Sequence, residues 1–298
     1  MIDTGSSDGS QSLAREAWGG IPGILFERPW VDFGHNRTEA LKLAREAIYS
    51  KEVDADWIFF LDADDTLEIS SGFSWPDAKR SADAYYIRVK RPGGVFQEEQ
   101  AQVLLFKADK PWVYKGKTHE YPECRNARIE GPLDDIWMVY RQDSVRHRSG
   151  RRSWDDATFL EKEMEEDPSN PRWVHYAAQS HRDANNLARA LDLYLKRMGM
   201  GGWDQERWSA SLEAAKLHER LGHPISIVTF AYLTAHKFRP HRPESLAHLA
   251  RYLRNNGWEE VAAVFDSAWR SLPPTTDILA VEKCCQWTGK TQKGLTNG

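Results

Sequence analysis

Trp57-Ile58-Phe59-Phe60-Leu61-Asp62-Ala63-Asp64-Asp65 joins five apolar residues to a run holding three carboxylates. Nothing polar interrupts residues 57–61, so they are expected to form a strand buried on both faces. Side chains alternate along a strand, which sets Asp62 and Asp64 on one side if the strand runs through them. Two carboxylates aimed at one point past a strand's C-terminal end suit a divalent cation, and open α/β sheets bind ligands at that end. An Asp-rich strand end equally caps a turn. On these residues alone both readings stand.

Upstream, Asp3-Thr4-Gly5-Ser6-Ser7-Asp8-Gly9-Ser10 is small and polar. It reads as a turn, with Ser or Asp capping a helix that starts near Gln11. Asp-Thr-Gly-Ser also occurs in aspartic proteases, but those need two such elements sharing a proton, and this chain has one. Ile24-Leu25-Phe26 reads as a short strand, and Pro29 breaks it. Then comes Asp32-Phe33-Gly34-His35-Asn36-Arg37. Leu41, Ala44, Ala47 and Ile48 recur at helical spacing over residues 38–49, with Thr38 or Asn36 as cap. A cation near a helix start is misplaced for the helix itself. Arg37 therefore either faces a phosphate or is a solvated surface arginine.

Downstream, residues 84–90 and 102–107 alternate like strands, with Pro92-Gly93-Gly94 as a turn between them. Trp112, Gly116 and His119-Glu120 follow, then a strand at 137–141 and Val145-Arg146-His147-Arg148. Near Gly150 the character changes. Helical patterns occupy 155–166, 171–181, 187–198, 206–221, 224–237, 243–255 and 258–272, with Asp167-Pro168 and Gly222 as breakers. Helix pairs of this length suit a repeat of about 34–40 residues, although an irregular helical bundle fits too. The expected division is 1–149, an α/β unit, and 150–298, an all-α unit.

The chain of 298 residues carries a formal net charge of −4. It lacks the basic stripe that nucleic-acid binding uses, so no nucleic-acid partner is expected. No apolar run is long enough to span a bilayer. Residues 1–5 do not resemble a secretory signal. Three cysteines, two of them adjacent at Cys284 and Cys285, form no disulfide framework, and a reducing, cytoplasmic setting is expected. The 13 tryptophans are read first as packing residues and second as stacking platforms.

In order, an Asp-x-Gly-Ser-x-Asp-Gly-Ser turn, a helix, and a strand ending in Asp62-Ala63-Asp64 resemble the family 2 glycosyltransferases with the GT-A fold. The segment from Asp32 to Arg37 looks like that family's stretch before its Asp-x-Asp unit. A subgroup whose catalytic domain leads into tetratricopeptide-like (TPR-like) helices is closer still. Trp112, Gly116 and His119-Glu120 resemble its Trp–Gly–His-Glu element. Asp167-Pro168-Ser169-Asn170-Pro171-Arg172 resembles its repeat junction, and Gly202-Trp203-Asp204-Gln205-Glu206-Arg207-Trp208 one of its helix starts. The resemblance spans roughly residues 2–220.

The resemblance implies a GT-A domain followed by an all-α TPR-like domain, and metal-dependent, inverting transfer from a nucleotide-sugar. Asp64 would be the principal ligand of Mn²⁺ or Mg²⁺, with Asp62 at the metal or the ribose. Asp3 would contact the nucleoside, and Arg37 the diphosphate, bidentate as lysine could not be. Glu120 is the leading base, with Asp65 in reserve, although a structural salt bridge accounts for Glu120 equally well. His119 or His147 could complete the metal site through imidazole; a hydrogen-bonded strand-end histidine is the competing reading of each. An EF-hand is excluded, because the sixth residue of a loop begun at Asp62 is Leu67. The donor would be a UDP- or GDP-sugar and the acceptor a protein or glycan. Family members carry a strand and helix before the turn, whereas Met1 stands almost on it. The resemblance thus implies an N-terminally truncated or degenerate member. The alternative is a catalytically inactive homologue whose TPR-type helices form a protein-binding scaffold.

Overall fold

The computed structural model describes residues 1–77, 79, 82–90, 100–141, 152–273 and 277. Contacts divide the chain into Met1–Arg152 and Ser153–Gly298.

The first unit begins with β1 (Ile2–Asp3), α1 (Ser10–Trp18), β2 (Phe26–Glu27), α2 (Phe33–Tyr49), β3 (Trp57–Phe59) and β4 (Thr66–Ile69). It continues with β5 (Ala84–Lys90), β6 (Gln100–Lys107), β7 (Val113–Lys115), β8 (Tyr121–Glu123), β9 (Ile129–Glu130) and β10 (Ile136–Val139). Six strands form a mixed sheet in the order β3-β6-β5-β10-β4, with β9 also on β5. β5 is central. Its residues Tyr85, Ile87 and Val89 are buried while Tyr86 is exposed, the alternation its sequence predicts. Leu41, Ala84, Phe106, Trp112 and Tyr114 form one core cluster, with Ile58 and Phe60 packed against it.

The apolar run at 57–61 departs from expectation. β3 is three residues long, pairs with β6 alone, and has no fully buried residue; Leu61 is exposed. The Phe60 N–H donates to the Leu104 carbonyl at 2.8 Å, and the Asp65 N–H to the Asp62 carbonyl at 3.1 Å. The chain is therefore turning by Asp62, and strand alternation stops before it reaches the carboxylates. Aspartate disfavours strands and favours turns. β1 and β2 pair parallel (Ile2↔Phe26, Asp3↔Glu27) in a sheet of their own. Among the described residues no sheet joins β1 to β3, and the GT-A architecture expected of this unit is not shown.

α2 starts earlier than expected. Asp32 is its cap, its Oδ1 accepting from the His35 N–H at 2.7 Å. Asn36 instead braces the preceding loop through Val31 N–H and the Pro29 carbonyl. Thr38 clasps β7, accepting from the Tyr114 N–H at 2.8 Å and donating to the Tyr114 carbonyl at 3.3 Å. Gly34 permits the docking: a Cβ there would stand 2.3 Å from the Gly116 carbonyl oxygen.

The second unit contains α3 (Arg152–Glu166), α4 (Pro171–Asp183), α5 (Leu187–Gly199), α6 (Asp204–Arg220), α7 (Ile225–Phe238), α8 (Glu244–Asn255) and α9 (Glu259–Arg270). Short connections make hairpins of α4/α5, α6/α7 and α8/α9. They begin at Pro171, Asp204 and Glu244, so the repeat is 33 and then 40 residues, a TPR-like pattern. Each start is legible. Asn170, for example, accepts from the Arg172 N–H at 3.1 Å, with Pro171 in the first turn. Trp208, Leu212 and Ala215 of α6 share one core with Val228, Tyr232 and Ala235 of α7 and Leu249 and Leu253 of α8. No helix among the described residues is long and apolar enough to cross a membrane.

His175 on α4 gives the helical unit an acid-sensitive point. Burial pushes its imidazole down to about 4; Glu206 opposes this, and Arg197, Arg182 and Arg172 add to it. Its Nδ1 is buried without a partner. The unfolded chain binds the proton near pH 6.5 and the folded chain only near 4. Stability is thus full above about 6.5 and falls as pH drops towards 4, by about 3–4 kcal/mol in total. Urea unfolding of the wild type and of His175→Gln should show the steeper acid slope in the wild type. Parallel slopes would remove His175 as the cause.

Candidate functional site

Arg37 lies in the second turn of α2, aimed by the docking of that helix on β7. Its Nη2 is 2.6 Å from Asp62 Oδ2, and its Nε is 2.7 Å from Glu120 Oε1. The guanidinium lies over the Phe60 ring at 4.7 Å and the Tyr114 ring at 5.6 Å. Phe60 follows β3, Tyr114 is in β7, and Glu120 ends the β7–β8 loop. Three candidates far apart in sequence meet at one guanidinium, which itself lies on an aromatic floor.

The electrostatics follow from burial and pairing. Burial alone would lower the Arg37 guanidinium, but Asp62 and Glu120 outweigh it and hold it above its ordinary value. Burial pushes the Tyr114 hydroxyl up. Asp65 is 7% exposed, and its Oδ1 accepts from the Arg141 N–H at 3.1 Å. Burial pushes its carboxyl up to about 6; the Arg141 N–H opposes this, and repulsion from Asp62 and Asp64 adds to it. At neutral pH Asp65 is therefore an anion, with a protonation midpoint nearer to neutrality than an ordinary aspartate's.

The metal set is looser than expected. Among the described residues no three Asp, Glu, His or Cys side chains gather tightly enough to hold a metal ion, so His119 does not join Asp62 and Asp64 in a three-ligand cluster. His119 sits in the β7–β8 loop with a backbone φ of +50°, and its conformation serves that tight turn. His147 lies outside the described residues. Mg²⁺-like ions are commonly held by one or two carboxylates, with substrate phosphates and water supplying the rest. Asp62 retains 42% side-chain exposure with one oxygen on Arg37, and Asp64 is half-buried.

Asp3 is buried in its own turn. Its carboxylate accepts from the N–H groups of Gly5 and Ser6 and from Gln11 Nε2 at 2.8 Å. The hydrogen bond with Ser6 leads in holding it below its ordinary value, against burial. Phe60, Tyr114 and Thr38 were missed from sequence. The Trp112–Gly116 element contains Tyr114, yet nothing local shows that it faces an arginine 77 positions earlier.

No protein-family profile and no curated protein matches the chain. Among solved structures it is similar to a crystal structure of MamA protein, at 11% identity and a TM-score of 0.36, over 39% of this chain and 62% of that one. A second, MamA MSR-1, covers 43% of this chain and 70% of its own at 14% identity and a TM-score of 0.35. A Podosopora anserina protein described as a kinesin light chain with nearly identical TPR-like repeats covers 42% and 71%, at 16% identity and a TM-score of 0.34. The chain thus spans less than two thirds of the first structure's length. Overlaps this slight say nothing of function.

Proposed function

We propose that the first unit transfers a glycosyl group from a UDP- or GDP-sugar to an acceptor hydroxyl, and that the helical unit holds a protein or glycan acceptor. The observation that carries this is the convergence of Arg37, Asp62 and Glu120, with Asp64 and Asp65 on the adjoining turn. Asp62 and Asp64 would hold Mn²⁺ or Mg²⁺, which when bound neutralises charge on the departing diphosphate. Glu120 takes the acceptor proton as the acceptor oxygen bonds the anomeric carbon from the face opposite the diphosphate. The carbon–oxygen bond to phosphate breaks, and its electron pair leaves with the nucleoside diphosphate. Arg37 fixes Glu120 and Asp62 in place, and its charge would help to neutralise the departing diphosphate.

Titrating the chain with Mn²⁺ and a panel of UDP- and GDP-sugars tests this. The expected result is release of nucleoside diphosphate, with a rise in melting temperature that Asp64→Ala removes. Silence from every nucleotide would sink the enzyme reading.

The second reading is a protein-binding scaffold without turnover. Three consecutive helix hairpins favour it, since stacked hairpins form extended binding surfaces. This reading draws on more of the described structure than the acidic turn does, and it stands whether or not the first unit is active.

A further inference from the structure

α6 ends in a Schellman turn. The Gly222 N–H donates to the Glu219 carbonyl at 3.1 Å, and the His223 N–H to the His218 carbonyl at 3.1 Å. Gly222 supplies the left-handed residue at φ +68°. In this motif the side chains at the two ends of the six-residue loop meet, and they are commonly apolar. Here both are histidine. The His218 and His223 Nδ1 atoms are 2.6 Å apart, with ring centroids at 4.9 Å and planes tilted by 51°. Both rings are half-buried, and Pro224 fixes the exit into α7.

Two imidazole nitrogens pointed at each other need something between them. Two neutral rings can share one N–H, which satisfies a single hydrogen bond. A cation accepts both lone pairs. Zinc binds imidazole nitrogen at about 2.0–2.1 Å, so two tetrahedral ligands stand about 3.3 Å apart. Opening the pair that far takes a small side-chain rotation, while the backbone bonds of the turn stay as they are. Imidazole suits borderline metals such as zinc, copper and nickel, rather than the hard cations that carboxylates favour.

We propose that His218 and His223 form a two-imidazole site for a borderline divalent cation, Zn²⁺, Ni²⁺ or Cu²⁺, at the turn between α6 and α7. Among the described residues no third His, Cys, Asp or Glu side chain completes the site, so water fills the other positions. The neighbouring carboxylate, Glu219, is already engaged by the Tyr232 hydroxyl at 2.7 Å and by Arg251 Nη2 at 2.6 Å. The site is independent of the acidic turn and of glycosyl transfer.

Calorimetric titration of the full chain with Zn²⁺ near neutral pH, alongside His218→Asn and His223→Asn, tests the proposal. Each variant should weaken one Zn²⁺ site by at least about tenfold, the lower end of what disturbing a metal-bound histidine costs. Cu²⁺ supplies a readout on the wild type that needs no variant to fold: its electron paramagnetic resonance spectrum should show two coordinated imidazole nitrogens. A Zn²⁺ affinity unchanged in His223→Asn, or a Cu²⁺ spectrum without two nitrogens, overturns it.

Discussion

Glu206→Gln should destabilise the helical unit by about 3–5 kcal/mol, the range for breaking a buried ion pair from one side. Arg197 on α5 is 0% exposed, and its Nη2 and Nε lie 2.6 and 3.0 Å from Glu206 Oε2 on α6. Arg197 Nη1 also donates to the Gly201 carbonyl at 3.1 Å, so the guanidinium is anchored on both sides of the α5–α6 connection. Removing the carboxylate charge leaves a cation with no route to water. A contrasting variant, Asp204→Asn, touches a pair 3.1 Å from Arg207 whose carboxylate is 73% exposed. It should cost about 0.3–0.5 kcal/mol. Urea unfolding followed by helical circular dichroism reads both. Equal shifts in the two variants would mean that burial of Arg197 does not set the cost. The double change Arg197→Met with Glu206→Leu should recover most of the loss, because burying two charges was expensive in the first place.

That pair also shows what sequence can carry. Glu206 lies in Gly202-Trp203-Asp204-Gln205-Glu206-Arg207-Trp208, a stretch readable as a helix start, and α6 does begin at Asp204. The helices were legible because period and punctuation agree: Asn170-Pro171 opens α4, and Gly222 closes α6. The strands were less so. β4, β8 and β9 are two to four residues long, too short to establish an alternation. β3 was overestimated because an apolar run reports burial without telling an edge strand from a central one.

The site divides in the same way. Arg37, Asp62 and Glu120 could each be nominated from local sequence, but their meeting depends on α2 docking against β7 through Gly34, Gly116 and Thr38. Glycines at 34 and 116 are visible in sequence; that one faces the other's carbonyl is not. His119 is a further case. A histidine beside a glutamate suggests a ligand, whereas a left-handed backbone there serves the turn. Asp32 was passed over as a cap because the helical period was counted from Thr38, one turn too late.

Glu120→Gln should lower turnover by about 10²–10⁴-fold, the usual contribution of a positioned general base. Glutamine keeps the shape and still accepts from Arg37 Nε, so the change removes the proton acceptor without opening a cavity. Asp62 keeps its own bond to Arg37 at 2.6 Å, and the carboxylates proposed for the cation are untouched. Mn²⁺ and nucleotide affinities should therefore stay within a fewfold of wild type, and the loss should appear in kcat. Asp65 is the competitor. Its carboxyl is pushed up to about 6, chiefly by burial, so a rate that depended on it as base would fall as pH dropped through 6. Below that value Asp65 holds its proton and can accept none. Asp65 is also committed to the Arg141 N–H at 3.1 Å and is 7% exposed, which leaves an acceptor little access. Asp65→Asn should accordingly cost less than Glu120→Gln. The reverse order, with the acid limb near pH 6 vanishing in Asp65→Asn, would move the base to Asp65 and reduce Glu120 to the structural partner of Arg37.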